Sequence, residues 1–162
     1  MRKDYAFAGQ ITNWRDLGGV DAPIELHMPV AASGLSQAIV DQVLDPADLT
    51  LAENVIRHGL PKHLAETVAR DSFALGLTSY ADHKSTQILP LTGSCGFELS
   101  VSRRNVKTED YPLTFPMFLY LPQRAQHPQI VAFLDWMRSP SAQLVIRRAG
   151  FVDLAAVPIP LS

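Results

Sequence analysis

Hydrophobic and polar positions recur with two different periods along the chain, and the two periods predict strands and helices in turn. The run Ile24-Glu-Leu-His-Met28 alternates with a period of two and predicts a strand. A turn of small residues follows at 31–34, and apolar residues then recur on one helical face until Asp45-Pro46 ends the helix. The apolar face consists of Leu35, Ile39, Val40, Val43 and Leu44.

The middle of the chain continues this alternation. Residues 47–60 are mixed and predict a short irregular or helical piece. Pro61 fits the first position of a helix whose buried stripe contains Leu64 and Val68. Three further strands are predicted, at residues 74–79, 86–91 and 97–102. The polar residues 103–110 predict a loop.

The C-terminal third begins with the most apolar segment, Tyr111–Leu121, whose prolines confine a strand to 117–121. Pro128 opens a helix, and Ser139 caps a final helix that Gly150 terminates. The residues of the first of these helices predicted to face inward are Ile130, Val131, Leu134 and Met137. Strands and helices alternate without a repeat, which predicts an α/β fold.

Composition narrows the function classes. Of the 162 residues, 47% are apolar and 19% charged, as in a packed globular protein. The formal net charge of -2 gives no electrostatic basis for binding nucleic acid or an anionic membrane. No apolar run is long enough to span a bilayer, and no signal-peptide h-region follows Met1. Cys95 stands alone, which excludes an internal disulfide and a cysteine-based zinc site.

The residue types used in catalysis and metal binding form no recognisable set. His58 and His63 are five residues apart with Pro61 between them, so no metal or cofactor is expected. Gly93-Ser-Cys-Gly96 lacks the spacing of a nucleophile elbow and has no assigned base, so it predicts a turn and no catalytic residue. His27 is the histidine best placed to face a ligand, although we interpret it as a surface or edge residue.

Five pieces of the chain, taken in order, resemble the periplasmic phosphate-binding proteins that serve ABC transporters. The first is the segment from Phe7 to Ile24, in which a Thr-Asn-Trp turn and a Leu-Gly-Gly turn precede the strand. The others are the strand with Ala32-Ser-Gly34, Ala74–Tyr80, Tyr111–Leu121, and Phe133 to Phe151. The resemblance implies an α/β fold of the type 2 periplasmic-binding-protein kind, with a mixed sheet flanked by helices and one complete lobe plus part of the other.

The same resemblance implies a division of the chain. Residues 1–19 would be the crossover or hinge segment, 20–92 the second, ligand-contacting lobe, and 93–162 the return into the first lobe. The family has additional chain before the crossover, which forms most of the first lobe. Strand edges that this chain would leave exposed favour association, so a homo-oligomer is expected.

The resemblance also places a ligand site at the turn after the first strand. In the family this turn presents Ser-Gly-Thr to phosphate, which implies contacts from Ser33, the N–H groups of Gly34 and Leu35, and Ser36. A helix N-terminus offers unpaired N–H groups to an oxyanion. The Ser33 hydroxyl could donate to the ligand or cap the helix, and both interpretations are open. Leu35 replaces the family's threonine and residues 27–30 lack its arginine, so phosphate or another small oxyanion should bind this chain weakly or not at all.

Two functions are consistent with the sequence. The first is a non-enzymatic solute-binding module of an ABC-type phosphate uptake system, periplasmic or extracytoplasmic, whose parent protein would dock on a transporter permease. The alternative is a ligand-free structural or protein-interaction domain of a larger cell-envelope protein. The intact Ser33-Gly34 turn favours the first function, and the missing arginine favours the second.

Overall fold

A computed structural model describes residues 4–92, 96–124 and 127–154. In that part of the chain, helices and strands alternate from α1 to β3, as the sequence pattern predicts, and two further strands and then three helices follow. The strands are β1 (Glu25–Pro29), β2 (Ile56–His58), β3 (Ala74–Gly76), β4 (Leu91–Thr92) and β5 (Glu98–Leu99). The helices are α1 (Asp4–Phe7), α2 (Gly34–Ile39), α3 (Pro61–Arg70), α4 (Arg103–Lys107), α5 (Pro128–Met137) and α6 (Pro140–Arg148).

The centre of the fold is a parallel sheet in which β1 lies between β2 and β3. In this register, His27 stands opposite Ile56 on one side and Gly76 on the other. Leu26 and Met28 alternate with His27 and enter the hydrophobic core. The core is formed by Ala6, Phe7, Ile24, Leu26, Met28, Ile39, Leu44 and Leu75. The two sides of β1 therefore have different partners: an apolar core on one side, and His27 with α3 on the other.

Helix α3 approaches the second side of the sheet very closely because Gly76 has no side chain. A Cβ built on Gly76 would lie 2.6 Å from Cγ2 of Val68 and 3.1 Å from Cδ2 of Leu64. Leu64 is buried, as the helical pattern predicts. This approach covers the middle of β1 and leaves His27 with no exposed surface.

The segment before β1 folds back on itself before it enters the strand. The backbone N–H of Trp14 donates to the carbonyl of Ala22, and the Asn13 side chain accepts from the N–H groups of Arg15 and Ala22. The indole Nε1 of Trp14 donates to the carbonyl of Phe73 at 2.7 Å, just before β3. The turn therefore holds the start of the chain against the edge of the parallel sheet.

Several predicted elements are confirmed with small shifts of their ends. The first strand, its following helix, the helix at Pro61 and the strand at Ala74 all form. Helix α2 passes into a wider π-type turn at Val40–Leu44 and then a 3₁₀ turn at Asp45–Ala47. At the other end, the Ser139 hydroxyl accepts from the N–H of Ala142, and Gly150 has a φ of 89°. The predicted cap and terminator of the last helix are therefore confirmed.

Five predictions about secondary structure need correction. Residues 86–90 form no strand, and the strand of residues 97–102 shortens to Glu98–Leu99, paired antiparallel with β4. The segment 117–121 has no regular structure, since no neighbouring strand lies beside it in the described part of the chain. The mixed stretch 47–60 contains β2, which the sequence pattern did not reveal.

The fifth correction concerns the loop predicted at residues 103–110, where α4 forms instead. The Ser102 hydroxyl accepts from the N–H of Asn105 and caps this helix. The helix presents Arg103 and Lys107 on one side, with nitrogen atoms 2.6 and 3.1 Å from Oδ1 of Asp153. This buried carboxylate ties α4 to the end of the chain.

Arg147 on α6 lies 3.4 Å from the other oxygen of Asp153, so three cations surround one carboxylate. The hydrogen bond from Arg103 and the nearby Lys107 hold the pKa of Asp153 well below its usual range, against the opposing effect of burial.

The apolar residues of α5 do not all face inward as predicted. Ile130 and Val131 are 38% and 46% exposed, and Trp136 is half exposed. Among the helices of the described residues, none has the length and apolar character needed to cross a bilayer.

Candidate functional site

The candidate site lies where β1 ends and α2 begins. Val30 continues from β1 and donates its N–H to the carbonyl of His58, so the end of β1 stays paired with β2. The N–H of Ser33 then donates to the carbonyl of Val30 and closes a turn. This geometry places the first turn of α2 at the carboxyl end of a parallel strand, a common position for ligand sites in α/β sheets.

The structure brings the four predicted site residues together in that first turn. Ser33 is the residue before the helix, and its side chain makes no capping hydrogen bond. Of the two open interpretations of Ser33, the capping role is therefore not adopted in this structure. Gly34 is exposed, and a Cβ built on it would meet no atom within 4 Å. The backbone of this turn is open to an approaching group.

Ser36 differs from its neighbours because its side chain points into the protein. It is only 3% exposed, and its hydroxyl accepts a hydrogen bond of 2.8 Å from Nη1 of Arg57. The same Nη1 donates to the carbonyl of Pro29, also at 2.8 Å. Two acceptors on two elements therefore fix the guanidinium beside the turn.

Arg57 is a candidate site residue that the sequence analysis did not identify. Its side chain is exposed, and its Nε and Nη2 groups make no hydrogen bond with the described part of the chain. These groups are the fork that recognises oxyanions in two-point contacts. The arginine expected at residues 27–30 is absent, but one from the adjacent strand occupies the same end of the sheet. A strand assigned at residues 55–58 would have revealed it.

His27 was interpreted as a surface or edge residue, and that interpretation was wrong. It is fully buried, with Nδ1 2.9 Å from Nε2 of His58 and Nε2 3.0 Å from Oε1 of Glu25. The contact with Glu25 lacks the alignment of a hydrogen bond. His27 therefore faces the α3 side of the sheet, whereas Arg57 and Ser36 lie on the α2 side.

The electrostatics of the histidine pair favour the uncharged form of His58. Partial burial lowers its pKa, and the neighbouring His27 and His63 lower it further. One ring nitrogen donates and the other accepts across the 2.9 Å contact, which a single proton between them satisfies. Within the described ranges, no group of three or more His, Cys, Asp or Glu side chains is arranged to hold a metal ion.

Comparison with known families defines the class of protein. Residues 5–141 match the family model of the PBP superfamily domain, and the chain belongs to this superfamily. This match includes the segment before β1, the whole parallel sheet and the whole candidate site. It confirms the α/β fold of the periplasmic-binding-protein kind that the sequence resemblance implied.

Individual relatives are phosphate-binding proteins by name. The chain is 21% identical to the phosphate-binding protein PstS of Borreliella burgdorferi, with 90% of this chain and 54% of that protein covered. A structure described as a phosphate ABC transporter substrate-binding protein with bound phosphate, from Clostridium perfringens, aligns with a TM-score of 0.77 and 20% identity. The alignment covers 94% of this chain and 60% of the Clostridium perfringens chain.

A second structure shows the same similarity. An ABC-type phosphate transport receptor from Vibrio cholerae aligns with a TM-score of 0.62 and 17% identity, over 92% of this chain and 60% of that one. The chain thus spans a little over half the length of these relatives.

Proposed function

We propose that this chain is the oxyanion-contacting part of a solute-binding protein, and that its ligand is phosphate or a closely similar oxyanion. The observation that carries the proposal is the position of Arg57, whose guanidinium is fixed beside the open turn at Ser33 and Gly34. Membership of the PBP superfamily supports it, as do relatives named for phosphate. The chain acts by binding, without catalysis, in an extracytoplasmic compartment, and its parent protein delivers the ligand to a transporter permease.

Each residue of the site has a defined role in this proposal. The Ser33 hydroxyl and the N–H groups of Gly34 and Leu35 donate to the oxyanion, and the free edge of the Arg57 guanidinium supplies the positive charge. Ser36 contributes through Arg57, because its hydroxyl holds Nη1 in place. A hydrogen bond between two charged groups is stronger than one with a neutral donor, so Arg57 should be the largest single contributor to the binding energy.

The affinity of the chain alone should be low. The relatives are longer, and any ligand contacts made by the portion outside this chain are lost. A millimolar dissociation constant corresponds to about -4 kcal/mol, which a few charge-assisted hydrogen bonds can supply. Micromolar binding by this chain would contradict the reasoning.

Amide chemical shifts in a phosphate titration test the proposal. We expect the N–H signals of residues 33–35 to move with millimolar phosphate and to remain in place with chloride. Arg57→Met should weaken the binding by about 10-fold or more, since a hydrogen bond to a charged group is worth ~1.5–3 kcal/mol. Arg15→Met is the matched control, because Arg15 is an exposed arginine paired with Asp21. Equal titrations for both variants, or no shifts at 33–35, would refute the site.

A second candidate function has one observation in its favour. The segment 117–121 is apolar and strongly exposed, as in a domain that contacts another protein. A chain that shows no phosphate-dependent shifts but associates through this segment would support the ligand-free interaction domain instead.

A further inference from the structure

A line of titratable side chains crosses the parallel sheet on the face that α3 covers. Oε1 of Glu25 lies 3.0 Å from Nε2 of His27, and Nδ1 of His27 lies 2.9 Å from Nε2 of His58. His27 is fully buried, whereas His58 is half-buried on β2, at the edge of the sheet. The contact between the two rings, called here the histidine contact, therefore joins an enclosed residue of β1 to an accessible residue of the neighbouring strand.

Strand β2 is held against β1 from both of its faces. It has only three residues, and in the described part of the chain it pairs with β1 alone. On the α2 face, Arg57 donates to the carbonyl of Pro29 and to the hydroxyl of Ser36. On the α3 face, His58 makes the histidine contact, and its carbonyl accepts from the N–H of Val30. Because Arg57 and His58 are consecutive, the position of the guanidinium depends on the contact made on the opposite face.

The histidine contact accommodates one proton between the rings and not two. With one proton there, one nitrogen donates and the other accepts, whether the pair is neutral or carries one additional proton. In the charged case, the imidazolium of His27 lies between the carboxylate of Glu25 and the lone pair of His58. A further proton on His58 places two N–H donors and two positive rings against each other across 2.9 Å. The contact must then open.

The surroundings determine when this second proton is taken up and which ring moves. Burial lowers the pKa of His58, and the neighbouring His27 and His63 lower it further, so His58 becomes charged below pH 6.5. Lys62 and Glu66, on the same helix as His63, pair with each other. Strand β3 contributes no titratable side chain. His58 is the ring that moves into solvent, because α3 encloses His27.

We propose that the histidine contact positions Arg57 for the oxyanion and makes this positioning dependent on pH. In mildly acidic solution the contact opens, β2 loosens from the end of β1, and the guanidinium leaves the turn at Ser33. The effect on ligand binding rests on the proposed oxyanion site, whereas the opening of the contact does not. His58 is thus a positioning residue that acts through Arg57.

Hydrogen exchange without ligand tests the opening of the contact. The N–H of Val30 bonds to the carbonyl of His58, so its protection relative to an unstructured chain at the same pH reports whether β2 is held. We expect this protection to fall between about pH 7.5 and about pH 5, by at most ~10-fold per pH unit, as the ring of His58 titrates. His58→Gln keeps a donor for Nδ1 of His27 but does not titrate, so it should retain the protection. His127→Gln is the matched control, because it removes an exposed histidine outside the sheet and should behave as the wild type does.

Phosphate titrations at the same two pH values test the link to binding. Phosphate itself changes charge in this range, so the measured quantity is the affinity of the wild type divided by that of His58→Gln at each pH. We expect a ratio near one at the higher pH and a fall of ~10-fold at the lower pH, which is the effect of losing a hydrogen bond to a charged group. His58→Leu cannot make the contact and should bind weakly at both pH values. Circular dichroism checks that all variants fold.

The outcomes separate this proposal from the proposed function. Protection of Val30 that does not depend on pH, or that falls equally in His58→Gln, would overturn the proposal. An affinity ratio that stays constant while the protection is lost would overturn it as well. The absence of any phosphate response would refute the oxyanion site and with it the effect on binding, while hydrogen exchange separately decides whether the contact opens.

Discussion

Because α3 lies so close to β3, adding one methyl group at Gly76 should lower the free energy of unfolding. The Cβ of Gly76→Ala would lie 2.6 Å from Cγ2 of Val68, whereas carbon atoms in contact are ordinarily ~3.5–4.0 Å apart. Val68 is β-branched and has one strongly preferred rotamer in a helix, so it cannot rotate away cheaply. The helix must move outward by ~1 Å, which should cost ~1–3 kcal/mol as in other overpacked cores.

Urea unfolding measures this cost. With a slope of ~2 kcal/mol per molar urea, a loss of ~2 kcal/mol lowers the midpoint by ~1 M. Gly59→Ala is the matched control, because a Cβ there meets no atom within 4 Å and no positive φ is involved, so stability should stay level or rise slightly. Val68→Ala removes the opposing methyl group and should recover part of the loss in the double variant. A midpoint unchanged by Gly76→Ala, or a double variant that is simply additive, would refute the close-packing argument.

Two further predictions concern charge. The pKa of His58 is lowered from 6.5 in the folded chain, so the unfolded chain binds a proton first as pH falls. The contribution of His58 to stability is therefore complete above pH 6.5 and declines below it by at most ~1.4 kcal/mol per pH unit. Thermal melts from neutral to mildly acidic pH should show a smaller dependence of stability on pH in His58→Gln than in the wild type. An unchanged dependence would contradict the prediction. Asp153→Asn should lower the melting temperature, because Arg103, Lys107 and Arg147 would then face one another without a carboxylate. The loss in melting temperature should be smaller in high salt, because salt screens the repulsion between the three cations. Asp21→Asn, which removes an exposed ion pair, is the control and should change the melting temperature little. A loss that does not depend on salt would argue against repulsion.

Prediction from the sequence was most accurate for elements that residues close together in the chain determine. The β1–turn–α2 unit follows from a period-two run, small turn residues and a helical apolar face. The helices that begin at Pro61 and Pro140 follow from proline at the first position and, for the second, a serine cap. These are local effects of backbone geometry and capping, so they needed no knowledge of the partners.

The predictions failed where distant residues decide the outcome. Strand β2 has only three residues, two of them polar, and it is stabilised by pairing with β1 rather than by its own pattern. Residues 117–121 have strong strand propensity but no partner strand in the described chain. His27 was predicted to be a surface or edge residue because it is polar, but the close approach of α3 at Gly76 buries it.

The candidate site shows the same division. Ser33 and Gly34 could be predicted because a motif places them in one turn. Arg57 could not, since its approach to Ser36 depends on the parallel register of two strands nearly thirty residues apart in sequence.

The two tryptophans of the chain occupy contrasting environments, and this gives the protein a built-in optical contrast. Trp14 is half-buried, with its indole N–H bonded to the carbonyl of Phe73, whereas Trp136 is half exposed and stands beside the ring of Phe133. Indole emission shifts to longer wavelength in water, and an exposed indole is reached first by a dissolved quencher. Fluorescence therefore distinguishes events at the turn before β1 from events at α5 without any added label.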